Sequence, residues 1–137
     1  MEIRFPIEFI VPGAPVSLQA KRAASREDWK MRVRSASSPA LPQGHWLTEA
    51  RIAVTLFYFP DGPMTADLDN IIKLVLDALV RHVYRDDRQI ERILVQKFEP
   101  ENIFAFTRPS PTLQKAMSSG KPLLYVRLSS DPFEEFS

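Results

Sequence analysis

Hydrophobic and polar residues alternate along the first segment of the chain, which predicts a half-buried strand. Over residues 3–11 the apolar side chains fall on one face and the charged ones on the other, with the two-residue period of a strand. A Pro-Gly-Ala-Pro run at residues 12–15 would end it. Further strands are predicted at residues 52–59, which are rich in β-branched and aromatic side chains, and at 89–98 and 123–128.

Helices are predicted between these strands. Residues 26–36 are expected to form a polar surface helix, with Ser25-x-x-Asp28 as its capping box. A strongly amphipathic helix follows the second strand, with Asp69 as its expected N-cap. Its apolar side chains cluster on one side of the helix: Leu68, Ile72, Val75, Leu76, Leu79 and Val83. A short helix is expected after Ser110-Pro111. The order of elements predicts an α/β or α+β sheet with helices packed on it.

Length and composition narrow the class of protein. The 137 residues predict one domain, residues 1–137. The chain has no cysteine, which excludes a disulfide, a thiolate zinc site and a cysteine nucleophile. His45 and His82 are far apart in sequence and are weak evidence for a metal site. Neither a secretory leader nor a stretch of membrane-spanning length is visible, so a cytoplasmic protein with no membrane partner is expected.

Charge is separated along a chain whose net charge is only +1. Residues 61–87 contain six aspartates and three basic residues. Residues 21–34 contain two acidic side chains and six basic ones, namely Lys21, Arg22, Arg26, Lys30, Arg32 and Arg34. This separation suits a protein that binds a polyanion and also holds a divalent metal, although charge alone favours two solvated faces.

A group of carboxylates and one lysine stands at the start of the amphipathic helix. Asp67 and Asp69 lie two residues apart in extended chain and point to the same side. Lys73 and Asp77 continue from Asp69 at four-residue spacing, along the border of the apolar face. Oxygen donors without histidine or cysteine favour a hard ion such as Mg²⁺ or Mn²⁺. Such an ion activates phosphoryl groups and water, and a neighbouring ammonium stabilises the charge that develops.

Structural explanations compete with this chemistry. An Asp-x-Asp pair is usually a turn with a helix cap, and surface ion pairs along a helix contribute only ~0.3–0.5 kcal/mol each. Asp86 and Asp87 are separated from the first pair by the whole helix, so only the fold can bring them together. The residues alone leave both interpretations open.

Three blocks follow one another along the chain, namely Asp67-Leu68-Asp69-Asn70-Ile71-Ile72-Lys73, Asp77-Ala78-Leu79 and Tyr84-Arg85-Asp86-Asp87-Arg88-Gln89-Ile90. They match the patterns D-x-D-N-x-x-K, D-A-L and D-D-x-Q-[IV], and in this order they resemble the RusA family of Holliday-junction resolvases. The first strand and its turn, residues 9–17, are similar to the family's N-terminus. Lys97 matches the pattern loosely. By this resemblance residues 100–121 are an insertion between the last two strands, because the usual turn there is shorter.

The resemblance implies a small mixed sheet of about four strands with two main helices, a homodimer, and Mg²⁺-dependent symmetric cleavage of four-way junction DNA in recombination and repair. Carried over by position, the catalytic residues are Asp67, Asp69, Lys73 and Asp87, and the three aspartates among them bind the metal. Supporting roles fall to Asn70, Asp77, Asp86 and Gln89, and the choice between Asp86 and Asp87 as ligand stays open. The basic residues of 21–34 are expected to contact DNA phosphates.

Two other functions remain open from the sequence. The same fold could serve as a catalytically inactive DNA-binding dimer, in which residues 21–34 form the main functional surface. The chain could also act on a small phosphorylated substrate. Mg²⁺-dependent nicking separates the first alternative from a nuclease, and a steep salt dependence of binding separates DNA from a small substrate.

Overall fold

The computed structural model describes residues 1–16, 22–64, 67–102 and 104–134. Strands and helices alternate along the chain: β1 (Ile7–Pro12), α1 (Ala23–Ser37), β2 (Ile52–Phe59), α2 (Ile72–Leu79), β3 (Ile90–Lys97), α3 (Pro111–Ser118) and β4 (Leu123–Ser129). Short 3₁₀ turns stand at Ser38–Ala40, Leu68–Ile71 and Asp87–Gln89. Among the described residues no helix is both long and apolar enough to span a lipid bilayer.

The four strands form one mixed sheet in the order β1-β4-β2-β3. Strand β4 pairs antiparallel with both β1 and β2, whereas β2 and β3 are parallel. Parallel neighbours need a crossover connection, and here α2 makes it. The predicted mixed sheet of four strands with helices packed on it is confirmed. Helix α2 and the segments on either side of it carry the candidate catalytic residues.

Strand β1 is shorter than the alternating pattern predicts, because it begins at Ile7 and not at residue 3. Its partner β4 pairs Leu128 with Ile7 and ends one residue later, so residues 3–6 have no ladder partner. Pro6 also lacks the backbone N–H that a ladder needs. Ile3 and Phe5 still pack against the core, which explains why the hydrophobic pattern extends beyond the strand.

Helices α1 and α2 bury one face of the sheet. Trp29 and Val33 of α1 and Val75 and Leu79 of α2 are at most 1% exposed and pack with side chains of β1, β2 and β4. Helix α1 is therefore half buried, not wholly a surface helix. The predicted Ser25 capping box is wrong: the helix begins at Ala23, and the backbone N–H of Ser25 already donates to the Arg22 carbonyl at 3.1 Å.

Helix α2 is short and begins later than predicted. The 3₁₀ turn Leu68–Ile71 precedes it, and Asp67, which caps that turn by position, makes no side-chain capping bond. The predicted N-cap role of Asp69 is therefore wrong, because Asp69 lies inside the turn. The helix ends at Leu79, and Arg81 then takes a left-handed φ of 62°. This reversal folds the chain back along the helix towards β3.

The opposite face of the sheet holds a second, aromatic core. Phe57, Phe59 and Tyr125 of the sheet pack against Phe98, Leu113 and Ala116, and Phe104 and Phe106 flank them. Helix α3 supplies the last part of this cover, and it begins where predicted, with Ser110 Oγ accepting from the backbone N–H of Leu113 at 3.1 Å. The described residues of 100–121 therefore cover part of this face of the sheet.

Candidate active site

Two exposed aspartates lie at the entrance to α2. Asp67 has extended backbone, and Asp69 lies in the 3₁₀ turn that follows. Ile71 is 3% exposed and anchors this turn in the core, while the backbone N–H of Asn70 donates to the Asp67 carbonyl at 3.2 Å. Within the described ranges neither carboxylate has an ion pair. Both are therefore available as anionic oxygen donors on the surface.

Lys73 lies between two carboxylates beside this turn. Its Nζ is 2.9 Å from Asp77 Oδ1 and 3.9 Å from Asp87 Oδ2. The hydrogen bond from Lys73 to Asp77, with a smaller electrostatic contribution from Asp87, raises the pKa of the lysine above 10.5. Lys73 is therefore a fixed cation at neutral pH. The fold thus joins the helix block of the sequence to the double-aspartate block.

Tyr84 brings the double-aspartate turn to α2, and sequence reasoning gave it no role. Its ring is fully buried, and its hydroxyl donates to the Leu76 carbonyl at 3.1 Å and lies 3.5 Å from Asp87 Oδ1. Burial, reinforced by the Asp87 carboxylate, raises the pKa of this phenol well above 10.0. A tyrosine three residues before the second aspartate was visible in the sequence, but its contact with α2 depends on the chain reversal.

The two adjacent aspartates have different environments. Asp86 Oδ1 accepts from the backbone N–H of Arg88 at 2.9 Å, and Gln89 Oε1 accepts from the N–H of Asp86 at 2.9 Å, which completes a capping box. The Gln89 side-chain amide also donates to the Thr48 and Ala50 carbonyls at 3.0 and 2.9 Å. Asp86 and Gln89 thus fasten the turn, whereas Asp87 faces Lys73.

The donor chemistry of the site fits a hard cation, because Asp67, Asp69 and Asp87 offer only carboxylate oxygens. Their arrangement is more open than a metal site needs: within the described residues no group of three or more Asp, Glu or His side chains lies close enough to hold an ion. The structure therefore brings Lys73, Asp77 and Asp87 together. The binding of a metal ion by Asp67, Asp69 and Asp87 stays a prediction.

The predicted DNA-binding residues of α1 have two kinds of environment. Arg22 and Arg32 are exposed, whereas Arg34 Nε donates to the Ala78 carbonyl at the end of α2 at 3.0 Å. Lys30 forms a surface ion pair with Glu27 at 2.9 Å. Arg26 is the remaining predicted DNA-binding residue that the structure describes, and Lys21 lies outside the described residues. Arg34 therefore joins the two helices, and the exposed arginines are the better candidates for phosphate contacts.

Met64, three residues before Asp67, is held by a residue that sequence reasoning did not select. Glu99 Oε2 accepts from the backbone N–H of Met64 at 2.6 Å, and Lys97 Nζ lies 3.5 Å from Glu99 Oε1. The Met64 N–H, followed by Lys97, lowers the pKa of this carboxyl below 4.5. Glu99, two residues beyond β3, thus holds the backbone at Met64.

The two histidines, distant in sequence, meet in the fold. Their ring centroids are 5.9 Å apart, His45 Nε2 is 2.6 Å from the His82 carbonyl, and Ser37 Oγ is 2.9 Å from His82 Nε2. Burial, with the neighbouring His45 and Arg34, lowers the pKa of His82 below 6.5. These contacts join α1, the loop before β2 and the end of α2, so the pair has a structural role.

Comparison with known proteins agrees with the motif blocks. The model of one protein family, described as Endodeoxyribonuclease RusA, matches residues 13–104, about two thirds of the chain. That range contains all three blocks and every candidate catalytic residue. A search of curated proteins found no match. The chain belongs to the RusA family of endodeoxyribonucleases.

Proposed function

We propose that this protein is a Mg²⁺-dependent endonuclease that resolves four-way DNA junctions by paired, symmetric phosphodiester hydrolysis as a homodimer. Family membership supports the nuclease activity. The observation that carries the proposal is the position of Lys73, which lies against Asp77 and Asp87 beside the turn that bears Asp67 and Asp69. Carboxylates can hold a hard cation that polarises the phosphate, and a neighbouring ammonium can stabilise the charge that develops on it.

Each residue then has a distinct role. Asp67, Asp69 and Asp87 would hold the Mg²⁺, which supplies Lewis-acid polarisation of the phosphate and a water nucleophile near neutral pH. Lys73 places its ammonium where negative charge develops on the phosphate oxygens. Asp77 orients that ammonium through the 2.9 Å contact. Asp86 and Gln89 hold the backbone of the turn that presents Asp87.

The second candidate is a catalytically inactive DNA-binding dimer of the same fold. It is favoured by one observation: within the described residues the carboxylates do not form a group of three that could hold an ion. In that case the exposed arginines of α1 would be the functional surface, and Asp67 and Asp69 would lower the affinity for DNA by repelling phosphates.

Incubation of the protein with labelled four-way junction and labelled duplex, each with Mg²⁺ and with chelator, tests the proposal. We expect symmetric nicks in the junction with Mg²⁺, no nicks with chelator, and little cutting of duplex. Junction binding without nicking in Mg²⁺ would contradict the nuclease and support the inactive dimer. Binding that does not weaken with salt would contradict DNA as the ligand.

A further inference from the structure

A row of polar side chains crosses the sheet on the face opposite α1 and α2. Glu8 of β1 pairs with Arg127 of β4, and Arg127 pairs in turn with Thr55 of β2. Thr55 is 2% exposed. Polar groups on a buried sheet face are unfavourable unless they are satisfied or serve a ligand. The aromatic core covers the rest of this face, so the polar row marks a surface of different chemistry.

A cavity of about 540 Å³ lies over this row, which is within the usual size range of ligand pockets. Its walls differ in character from one side to the other. Phe57, Phe106 and Tyr125 form an aromatic wall, and Glu8, Arg108 and Arg127 supply charge. Glu8 accepts hydrogen bonds from Ser110 and Tyr125 through Oε2, which leaves its Oε1 as an acceptor among the described residues.

The Glu134 carboxylate lies against Arg127 on one side of the cavity. Glu134 accepts from both terminal nitrogens of Arg127, the second at 3.2 Å, and its Oε1 lies 3.7 Å from Arg92 Nη2. Arg92 Nη1 also donates to the Pro132 and Glu134 carbonyls at 3.0 and 2.9 Å. These contacts hold the segment 132–134 on the sheet.

We propose that this cavity binds one nucleotide unit of a DNA strand, whose phosphate takes the place of the Glu134 carboxylate on Arg127 and Arg92. Arg92 lies on β3 and Arg127 on β4, whereas Glu134 lies outside the strands of the sheet. Guanidinium groups bind phosphate and carboxylate in the same two-pronged geometry. The inference rests on the proposed function, because it assumes that DNA is the protein's ligand.

A nucleotide fits the cavity better than a bare phosphate because of the other walls. Aromatic side chains next to cations are typical of sites for unstacked nucleotides. Glu8 repels phosphate, and so directs the anion towards the arginines. The same carboxylate is suited to accept from the amino group of a base. The site therefore takes the phosphate at the arginines and the base between Phe106 and Glu8.

Glu134→Gln tests the proposal, with binding of a labelled oligodeoxyadenylate measured over a range of salt. We expect roughly three- to tenfold tighter binding at each salt concentration, because the phosphate no longer has to displace a carboxylate. Glu101→Gln is the matched control, because Glu101 is exposed and loses the same charge outside the cavity. A gain no larger than in Glu101→Gln would overturn the proposal.

Adding Arg127→Gln to the Glu134→Gln variant should return the affinity to the parent value. Deoxyadenosine monophosphate should compete with the oligonucleotide in Glu134→Gln and should not compete in the double variant. A gain that survives Arg127→Gln, or the absence of competition by the mononucleotide, would contradict the site. Circular dichroism establishes that the variants fold.

A measurement on the unaltered chain covers the case in which Glu134→Gln does not fold. Saturating oligonucleotide should speed hydrogen exchange in residues 131–134, because the phosphate displaces Glu134, and unchanged exchange contradicts the proposal. Failure here is distinguishable from failure of the proposed function. If the parent nicks junctions with Mg²⁺ and the Glu134 tests are negative, only this site is wrong. If the tests are positive and no nicking occurs, the nuclease is wrong and the site stands.

Discussion

Lys73 has two carboxylate neighbours, and its side chain is still 52% exposed. An ammonium in this position can reach a phosphate without leaving Asp77. Because its pKa is raised, it stays protonated across the pH range in which Mg²⁺-dependent cleavage is measured. The residue therefore suits stabilisation of developing charge and not proton transfer.

Lys73→Ala should lower the cleavage rate by ~10²–10³-fold, the effect of removing one preorganised charge-stabilising donor. Junction affinity should fall only slightly, since one phosphate contact among many is a small share. Single-turnover nicking and gel shift on the same preparation measure the two effects. A variant that cuts at the parent rate would show that Lys73 is only a surface ion-pair partner.

Substitutions of the adjacent Asp86 and Asp87 should affect different properties, the first the free energy of unfolding and the second DNA cleavage. Asp86→Ala removes the cap of its turn and should cost about 1 kcal/mol of unfolding free energy. Asp87→Asn should cost less than about 0.5 kcal/mol, because its side chain is 46% exposed, yet it should lose cleavage. Urea unfolding and nicking of both variants provide the comparison. The reverse pattern would assign the metal-ligand role to Asp86.

At the scale of elements, α1 presents arginines with two different tasks. Neutralising Arg22 and Arg32 together should weaken binding to every junction sequence alike, and should make the salt slope shallower by about two units, because both contact phosphates. Arg34→Met is the comparison, since it breaks the bond to the Ala78 carbonyl and should lower stability first. An unchanged salt slope in the double variant would mean that these arginines of α1 are only solvated surface residues.

Helices and strands were predictable where the local sequence pattern agrees with the strand pairing of the fold. Strand β2 has the predicted bounds, and α3 begins at Pro111, directly after Ser110, as predicted. The starts of β1 and α2 were not predictable, because they depend on where β4 ends and on the 3₁₀ turn that precedes α2. The motif blocks named Lys73 and Asp87, but their 3.9 Å approach needs the reversal at Arg81 and the buried hydroxyl of Tyr84. No local pattern encodes those contacts.

At the scale of the whole molecule, paired cleavage needs two active sites related by two-fold symmetry, which a homodimer supplies. Parent chains mixed with an excess of Asp69→Asn chains should form mixed dimers with one working site. Those dimers should release singly nicked junctions, whereas the parent alone cuts both strands. Denaturing and native gels of the same time course separate the products. If the yield of paired cuts fell only in proportion to the fraction of parent chain in the mixture, the homodimer would be contradicted.

The most direct measurement compares parent and Asp69→Asn on one labelled four-way junction, by gel shift in chelator and by nicking time course in Mg²⁺. Asp69 is exposed beside the core and has no ion pair with the described residues, so the variant should fold. It should bind the junction at least as tightly as the parent, because a carboxylate that repels the phosphate is gone. It should not cut. If it folds, binds and nicks at the parent rate, Asp69 is not part of a catalytic metal site and the proposed mechanism is wrong.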